Sequence, residues 1–164
     1  MTRDQIFDPL DRLLGTWTTE ATHPMMPGVV VRGTAVIEWL EGRRFQTHRA
    51  RTDHPDFPDS LSVIGDMGHD RVEGPDGDGA VAPHDDRPHL RMHYFDSRGV
   101  FRVSEVSIDD ASWRWWRNAP GFSLRFTGTF ADDDTIVGRS ELCRDDVHWA
   151  DDLRITYRRE RRPQ

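Results

Sequence analysis

Residues 29–52 have the sequence VVVRGTAVIEWLEGRRFQTHRART, and this stretch decides the fold class. From Val29 to Leu40 apolar side chains largely alternate with polar ones, and the pair Glu41-Gly42 then interrupts the alternation. A period of two places one set of side chains on one face of a strand, and a short turn with glycine joins two such strands. The stretch therefore predicts an antiparallel β-hairpin with strands at 29–40 and 43–52.

Short alternating runs closed by turn signals recur along most of the chain. Turn signals such as Ser97-Arg98-Gly99, Pro120-Gly121 and Asp132-Asp133-Asp134 separate the runs. About ten strands at this regular spacing, with no helical stretches between them, favour an all-β, up-and-down antiparallel barrel. The predicted strands lie at 16–23, 29–40, 43–52, 61–65, 89–96, 100–108, 112–118, 122–130, 135–143 and 147–159.

Two segments depart from the strand pattern. Residues 4–14 carry leucines and an isoleucine at helical spacing, which predicts a short helix across one end of the barrel. Residues 68–88 are rich in Gly, Asp and Pro and predict a surface loop without regular structure, either a tolerated insertion or a lid. Because no interdomain linker is visible, residues 1–164 are predicted to form a single domain.

Charge and composition exclude several classes of function. A formal net charge of −7 argues against nucleic acid and anionic membranes as partners. The chain has no lysine, which excludes lysine Schiff-base chemistry, and its single Cys143 excludes a disulfide framework or a cysteine-rich zinc site. No apolar run is long enough to span a membrane and no secretory signal pattern is visible, so a cytoplasmic protein is expected.

Three of the six tryptophans lie on one predicted strand. The chain contains six Trp and eight Phe, and Trp113, Trp115 and Arg117 share one face of the strand, with Arg114 and Trp116 opposite. This much aromatic surface fits a packed core, the wall of a ligand cavity or a dimer contact. The protein is therefore expected to be a monomer or a homodimer that binds a small hydrophobic or aromatic molecule.

Polar side chains on the neighbouring strands supply the candidate contacts to such a molecule. His93 and Tyr94 lie on opposite faces of one strand, so at most one of them faces the interior, where Tyr94 could donate a hydrogen bond to a ligand. Glu105 interrupts an apolar face and either acts as a general acid or base or pairs with a neighbouring arginine, Arg91 or Arg117. The predicted ligand-binding residues are Trp39, His93, Tyr94, Glu105, Trp113, Trp115 and Arg117, and the catalytic candidates are Glu105 and Tyr94.

The eight histidines do not form a recognisable ligand set. None shows the helical spacing of zinc proteases, and no cysteine partner is available for a structural zinc site. His48, His93 and His148 have no identifiable hydrogen-bond partner in the sequence pattern. We therefore expect no bound metal and no cofactor.

The order of several short stretches carries a family resemblance. Gly15-Thr16-Trp17 opens the series of strands, and 39–45, 93–99 and 125–130 follow as further matching stretches. With these the chain resembles the calycin superfamily, which includes lipocalins, fatty-acid-binding proteins and nitrobindin-like barrels. Within it, the chain is more closely similar to bacterial proteins of the DUF1579-like group. The resemblance implies a barrel with an interior cavity and implies no known activity.

The resemblance also implies two details at the ends of the chain. In calycins the early tryptophan lies at the closed end of the barrel beneath an arginine of the last strand, here Trp17 beneath Arg154 or Arg158. Nitrobindin-like members bind haem through a histidine near the C-terminus. The last strand here, 151–158, contains no histidine, and His148 is the nearest one. This departure argues against haem.

Three functions follow from the sequence, in order of preference. The first is a small-molecule-binding barrel with an apolar and aromatic interior. The second is a cofactor-free isomerase or cyclase that acts inside the same cavity. The third is a nitrobindin-like protein that binds haem or nitric oxide.

Overall fold

The computed structural model describes residues 2–66 and 90–161, which form a closed antiparallel barrel of ten strands. The strands follow one another around the barrel in chain order, and the last strand pairs with the first. This topology confirms the predicted up-and-down barrel, and closure leaves the sheet without an open edge. The strands are β1 (Gly15–Thr22), β2 (Val31–Trp39), β3 (Phe45–Thr52), β4 (Ser60–Asp66), β5 (Leu90–Asp96), β6 (Phe101–Ile108), β7 (Ser112–Arg117), β8 (Ser123–Asp132), β9 (Thr135–Cys143) and β10 (Trp149–Arg159).

The N-terminal segment closes one end of the barrel. It consists of α1 (Arg3–Phe7) and a 3-10 helix over Asp8–Leu13, where the sequence predicts a single helix over 4–14. Pro9 accounts for the difference, because proline has no N–H to continue the α-helical hydrogen-bond ladder. Leu10 within the 3-10 helix is fully buried, so the segment fills this end of the barrel as expected.

Alternation along each strand decides which side chains face the interior. Trp17, Thr19 and Ala21 of β1 are buried, while the residues between them are exposed. On β2 the apolar set that includes Ala35 and Ile37 is likewise buried. Alternation is therefore present in both strands, and the packed part of the core lies at the end that the helices cover.

Trp17 is the anchor of this closed end. It is 1% exposed, its Nε1 donates to the Leu13 carbonyl at 2.8 Å, and the Arg159 guanidinium lies 4.2 Å from its ring centroid. The predicted arginine over Trp17 is confirmed, but Arg154 and Arg158 were the wrong residues. Trp17 and Arg159 are register partners and share the interior face, whereas Arg154 and Arg158 point outward.

A pair of glycines makes room for an aromatic ring in the interior. Gly128 of β8 and Gly138 of β9 are register partners. A Cβ added at Gly138 would lie 2.6 Å from the ring of Phe126. Because neither position carries a side chain, the Phe126 ring lies across the sheet at this level.

Some predictions concern the segment between β4 and β5. The expected surface loop at 68–88 lies outside the described residues.

Within residues 2–66 and 90–161, no helix is long and apolar enough to cross a membrane.

Candidate functional site in the barrel interior

Several inward side chains of the barrel are not fully covered by packing. Trp115, Tyr157 and Tyr94 point inward by register, yet all three are only partly buried. An inward side chain that keeps accessible surface has room beside it, either in the interior or at the open end of the barrel. The candidate site is therefore the interior between these side chains.

An aromatic wall forms one side of this cavity. Trp113 of β7 is 3% exposed, and its ring centroid lies 5.1 Å from that of Phe126 and 6.2 Å from that of Tyr157. Trp115 stacks nearly parallel to Phe126, with 5.2 Å between centroids and 12° between ring planes. Trp113 and Trp115 therefore lie on the inward face of β7, while their role as ligand contacts stays a prediction.

Two hydrogen-bond donors at this wall have no partner. Trp113 Nε1 is buried and makes no hydrogen bond. The Tyr157 hydroxyl also has no partner among the described residues, and burial raises the pKa of Tyr157 to about 12, so the group remains a protonated donor. A buried donor left without an acceptor costs about 1–3 kcal/mol, so Trp113 Nε1 in particular calls for an acceptor in the interior.

His48 of β3 supplies a hydrogen-bond acceptor near Trp113. The centroids of the His48 and Trp113 rings are 5.5 Å apart. The Gln46 amide nitrogen donates to the Leu10 carbonyl at 2.9 Å, which leaves Gln46 Oε1 to accept from His48 Nε2 at 2.9 Å. This network assigns the proton to Nε2 and a free lone pair to Nδ1. Burial lowers the pKa of His48 to about 3, so the ring is neutral. Contrary to the sequence-based expectation, His48 therefore has a fixed hydrogen-bond partner.

Tyr94 points inward toward the end of the barrel away from the helices, but its role differs from the expected one. Its hydroxyl donates to Asp96 Oδ2 at 3.0 Å, so the proton is not available to a ligand carbonyl and only acceptor capacity remains. Burial, together with the adjacent Asp96 carboxylate, holds the pKa of Tyr94 well above its usual value. Tyr94 is thus a neutral interior phenol that is bonded to the protein.

The structure corrects the expectation for His93 and Glu105. Tyr94 opposes the buried Ser62, so its neighbour His93 points outward, where its ring packs edge-on against Phe101 at 5.8 Å. Glu105 also points outward and pairs with Arg91 at 3.4 Å. The predicted pocket contacts from His93 and Glu105 are wrong, and so is the role of Glu105 as a catalytic group in the cavity. The alternative, an ion pair that braces the wall, is what the structure shows.

Trp39 points inward but does not line the cavity. It lies at the end that the helices close, where Nε1 donates to Asp11 Oδ1 at 2.8 Å. Its ring packs edge-on against Phe7 with 5.9 Å between centroids. The predicted ligand contact from Trp39 is therefore replaced by contacts to the N-terminal segment.

Two interior residues, His48 and Tyr157, were not among the predicted site residues, although strand alternation indicates that both point inward. His48 is the register partner of Ile37, and Tyr157 is the register partner of Ile136, so each shares a face with a buried aliphatic residue. Alternation alone places both side chains inside. Their importance lies in unpartnered polar atoms, which only the contacts reveal.

A concavity of about 650 Å³ lies outside the barrel. Its lining comes mostly from outward side chains of β1, β8, β9 and β10. The charges there are already paired, as in Arg139, whose Nη2 lies 2.6 Å from an oxygen of Asp151. The interior has polar atoms without a hydrogen-bond partner among the described residues, whereas the charged side chains of this groove are ion-paired. The interior is therefore the better candidate site.

The described residues supply few candidate ligands for a metal or for haem. Within the described ranges, no group of three or more His, Cys, Asp or Glu side chains could hold a metal ion. The interior positions of β10 include Ile155 and Tyr157 and no histidine, so the position implied by the nitrobindin resemblance lacks its ligand. Because Nε2 of His48 is bonded to Gln46, the ring offers only Nδ1 as a ligand atom.

Titration with haemin should therefore give no stoichiometric shift of the Soret band. His48 Nε2, the less hindered nitrogen, is already bonded to Gln46. Absorbance spectroscopy with the purified protein measures the outcome. A one-to-one shift that disappears in His48→Ala would contradict this prediction.

Comparison with known proteins identifies the fold. No family model and no curated protein sequence matches the chain. Rv2717c from M. tuberculosis is 14% identical, with 95% of this chain and 98% of that chain covered and a TM-score of 0.62. The S-type phycobiliprotein lyase CPES from Guillardia theta is 11% identical, with 99% and 95% covered and a TM-score of 0.56. The chain has a calycin-like barrel fold. At these identities the likeness shows the fold alone, and the DUF1579-like group stays a prediction.

Proposed function

We propose that the protein binds a small, flat aromatic molecule inside the barrel, against Trp113 and Trp115. The observation that carries the proposal is a set of three polar atoms without protein partners around one aromatic wall: Trp113 Nε1, the Tyr157 hydroxyl and His48 Nδ1. Ligand sites are mostly apolar, with a few convergent polar groups that orient the ligand. The ligand would accept from the two donors and donate to His48.

The polar groups favour binding over acid–base catalysis. One protein with this fold is named a lyase, so the fold by itself is compatible with an enzyme. General acids and bases work best with a pKa near the operating pH. The pKa of His48 is about 3 and that of Tyr157 about 12, so both groups stay neutral near pH 7. This supports a binding protein ahead of an isomerase or cyclase.

A titration with 2-naphthamide tests the proposal. This neutral bicyclic amide carries both an acceptor and a donor, and it should quench tryptophan fluorescence saturably. Trp115→Ala removes the stacked ring and should weaken binding about tenfold, which corresponds to roughly 1.4 kcal/mol. Trp116→Ala is the matched control, because Trp116 lies on the same strand and points outward.

The Tyr157 hydroxyl can be tested separately. Tyr157→Phe removes only the hydroxyl donor, so the affinity for 2-naphthamide should fall about threefold to tenfold. The affinity for naphthalene, which has no acceptor, should stay unchanged. Isothermal titration calorimetry provides the dissociation constants. Absence of saturable binding, or an equal loss in Trp115→Ala and Trp116→Ala, would contradict a site inside the barrel.

A further inference from the structure

Two arginines lie in the interior register at the cavity end away from the helices. Arg102 of β6 opposes the inward Tyr94, and Arg117 of β7 opposes the buried Leu124. Both arginines are partly buried. Most inward positions of a small barrel carry apolar or small side chains, so two guanidinium groups on adjacent strands are unusual there.

The two guanidinium groups converge on one residue. Arg102 Cζ lies 4.9 Å from the ring centroid of Phe122, and Arg117 Nη1 donates to the Phe122 carbonyl at 3.1 Å. Arg102 therefore uses one face of its guanidinium group and Arg117 uses one N–H, so both keep several N–H donors unused.

Neither arginine has a counter-ion in the part of the chain that the structure describes. No carboxylate oxygen of residues 2–66 or 90–161 lies within 4.0 Å of either guanidinium. The nearby Asp96 is already engaged, because it accepts from Tyr94 and from the backbone N–H groups of Arg98 and Val100. Other arginines, such as Arg139, are ion-paired. Among the described residues, no carboxylate therefore neutralises the two positive charges, which lie on partly buried side chains.

We propose that Arg102 and Arg117 bind the carboxylate of an aromatic acid whose ring lies against Trp115. The inference rests on the proposed function and specifies the class of ligand: the carboxylate lies at the end of the ring nearer Arg102 and Arg117, opposite the end that faces Trp113, Tyr157 and His48. Arginine forks match carboxylates in charge and geometry and form short, charge-assisted hydrogen bonds. Arg117 and Trp115 are two residues apart on one strand face, so the carboxylate would lie about 7 Å from the ring wall, which fits a planar bicyclic acid.

A matched pair of ligands isolates the carboxylate. 2-Naphthoate and 2-naphthamide share one ring system and differ in charge at neutral pH. The wild-type protein should bind 2-naphthoate about tenfold or more tightly than 2-naphthamide. In the double variant Arg102→Gln/Arg117→Gln this ratio should fall to about one. Arg114→Gln removes an exposed, outward arginine from the same strand and should leave the ratio unchanged.

The wild-type protein provides a test that does not depend on any variant. Raising sodium chloride from about 0.05 to 0.5 M should reduce the preference for 2-naphthoate, because salt screens charge pairs that are partly exposed. A ratio near one in the wild type, or a ratio that neither salt nor the double variant changes, would overturn the inference while binding inside the barrel stands. Failure of both ligands to bind would overturn the proposed function itself.

Discussion

Replacing Trp17 by Ala should lower the free energy of unfolding by about 3–5 kcal/mol, the usual cost of deleting a large core aromatic. The side chain is 1% exposed, donates to the Leu13 carbonyl and lies beneath Arg159, so its removal leaves a cavity and two polar groups with fewer partners. Urea unfolding followed by circular dichroism measures the change.

An exposed aromatic residue provides the control for this variant. Phe101 is 56% exposed, and Phe101→Ala should cost less than about 1 kcal/mol. If the unfolding midpoint of Trp17→Ala matched that of Phe101→Ala, Trp17 would not anchor the closed end of the barrel.

The second large effect concerns acid. In the folded protein burial lowers the pKa of His48 to about 3, against an ordinary value of 6.5 in the unfolded chain. As the pH falls, His48 therefore takes up a proton at a higher pH in the unfolded chain than in the folded protein. Stability from the neutral imidazole is fully present above pH 6.5 and is lost progressively toward pH 3, by about 1.4 kcal/mol per pH unit.

His48→Gln should remove this acid sensitivity, because glutamine does not titrate. Between pH 7.5 and 4.5 the wild type should lose roughly 2–3 kcal/mol more than the variant, measured by urea unfolding at each pH. Aspartates with a lowered pKa, such as Asp96, do not interfere in this window, since their ordinary value is 3.8. Equal losses in the two proteins would show that His48 is not held neutral in the interior.

The barrel could be predicted because its signals are local. Alternation in β1 and β2 and the turn at Glu41-Gly42 fix the strands and the side that is buried. The same reasoning placed Trp113 and Trp115 inside. Each of these strands has one clearly apolar face, so a period of two was sufficient.

The errors arose where both faces of a strand are apolar or where a distant segment intervenes. On β5, Met92 and Phe95 lie on opposite faces, so only the pairing with β4 decides that Tyr94 points inward. Phe101 is an exposed aromatic residue on the face that carries Glu105, which made that face resemble a core. Trp39 is covered by the N-terminal helices, a long-range contact that strand alternation does not reveal.

A crystal structure of the protein grown with saturating 2-naphthamide tests the central claim most directly. We predict density for the bicyclic ring inside the barrel against Trp115, with its amide within hydrogen-bond distance of Trp113 Nε1, the Tyr157 hydroxyl or His48 Nδ1. Density in the outer groove beside Arg139, on the outer face around Phe101, or nowhere on the protein would contradict the claim that the interior is a binding site.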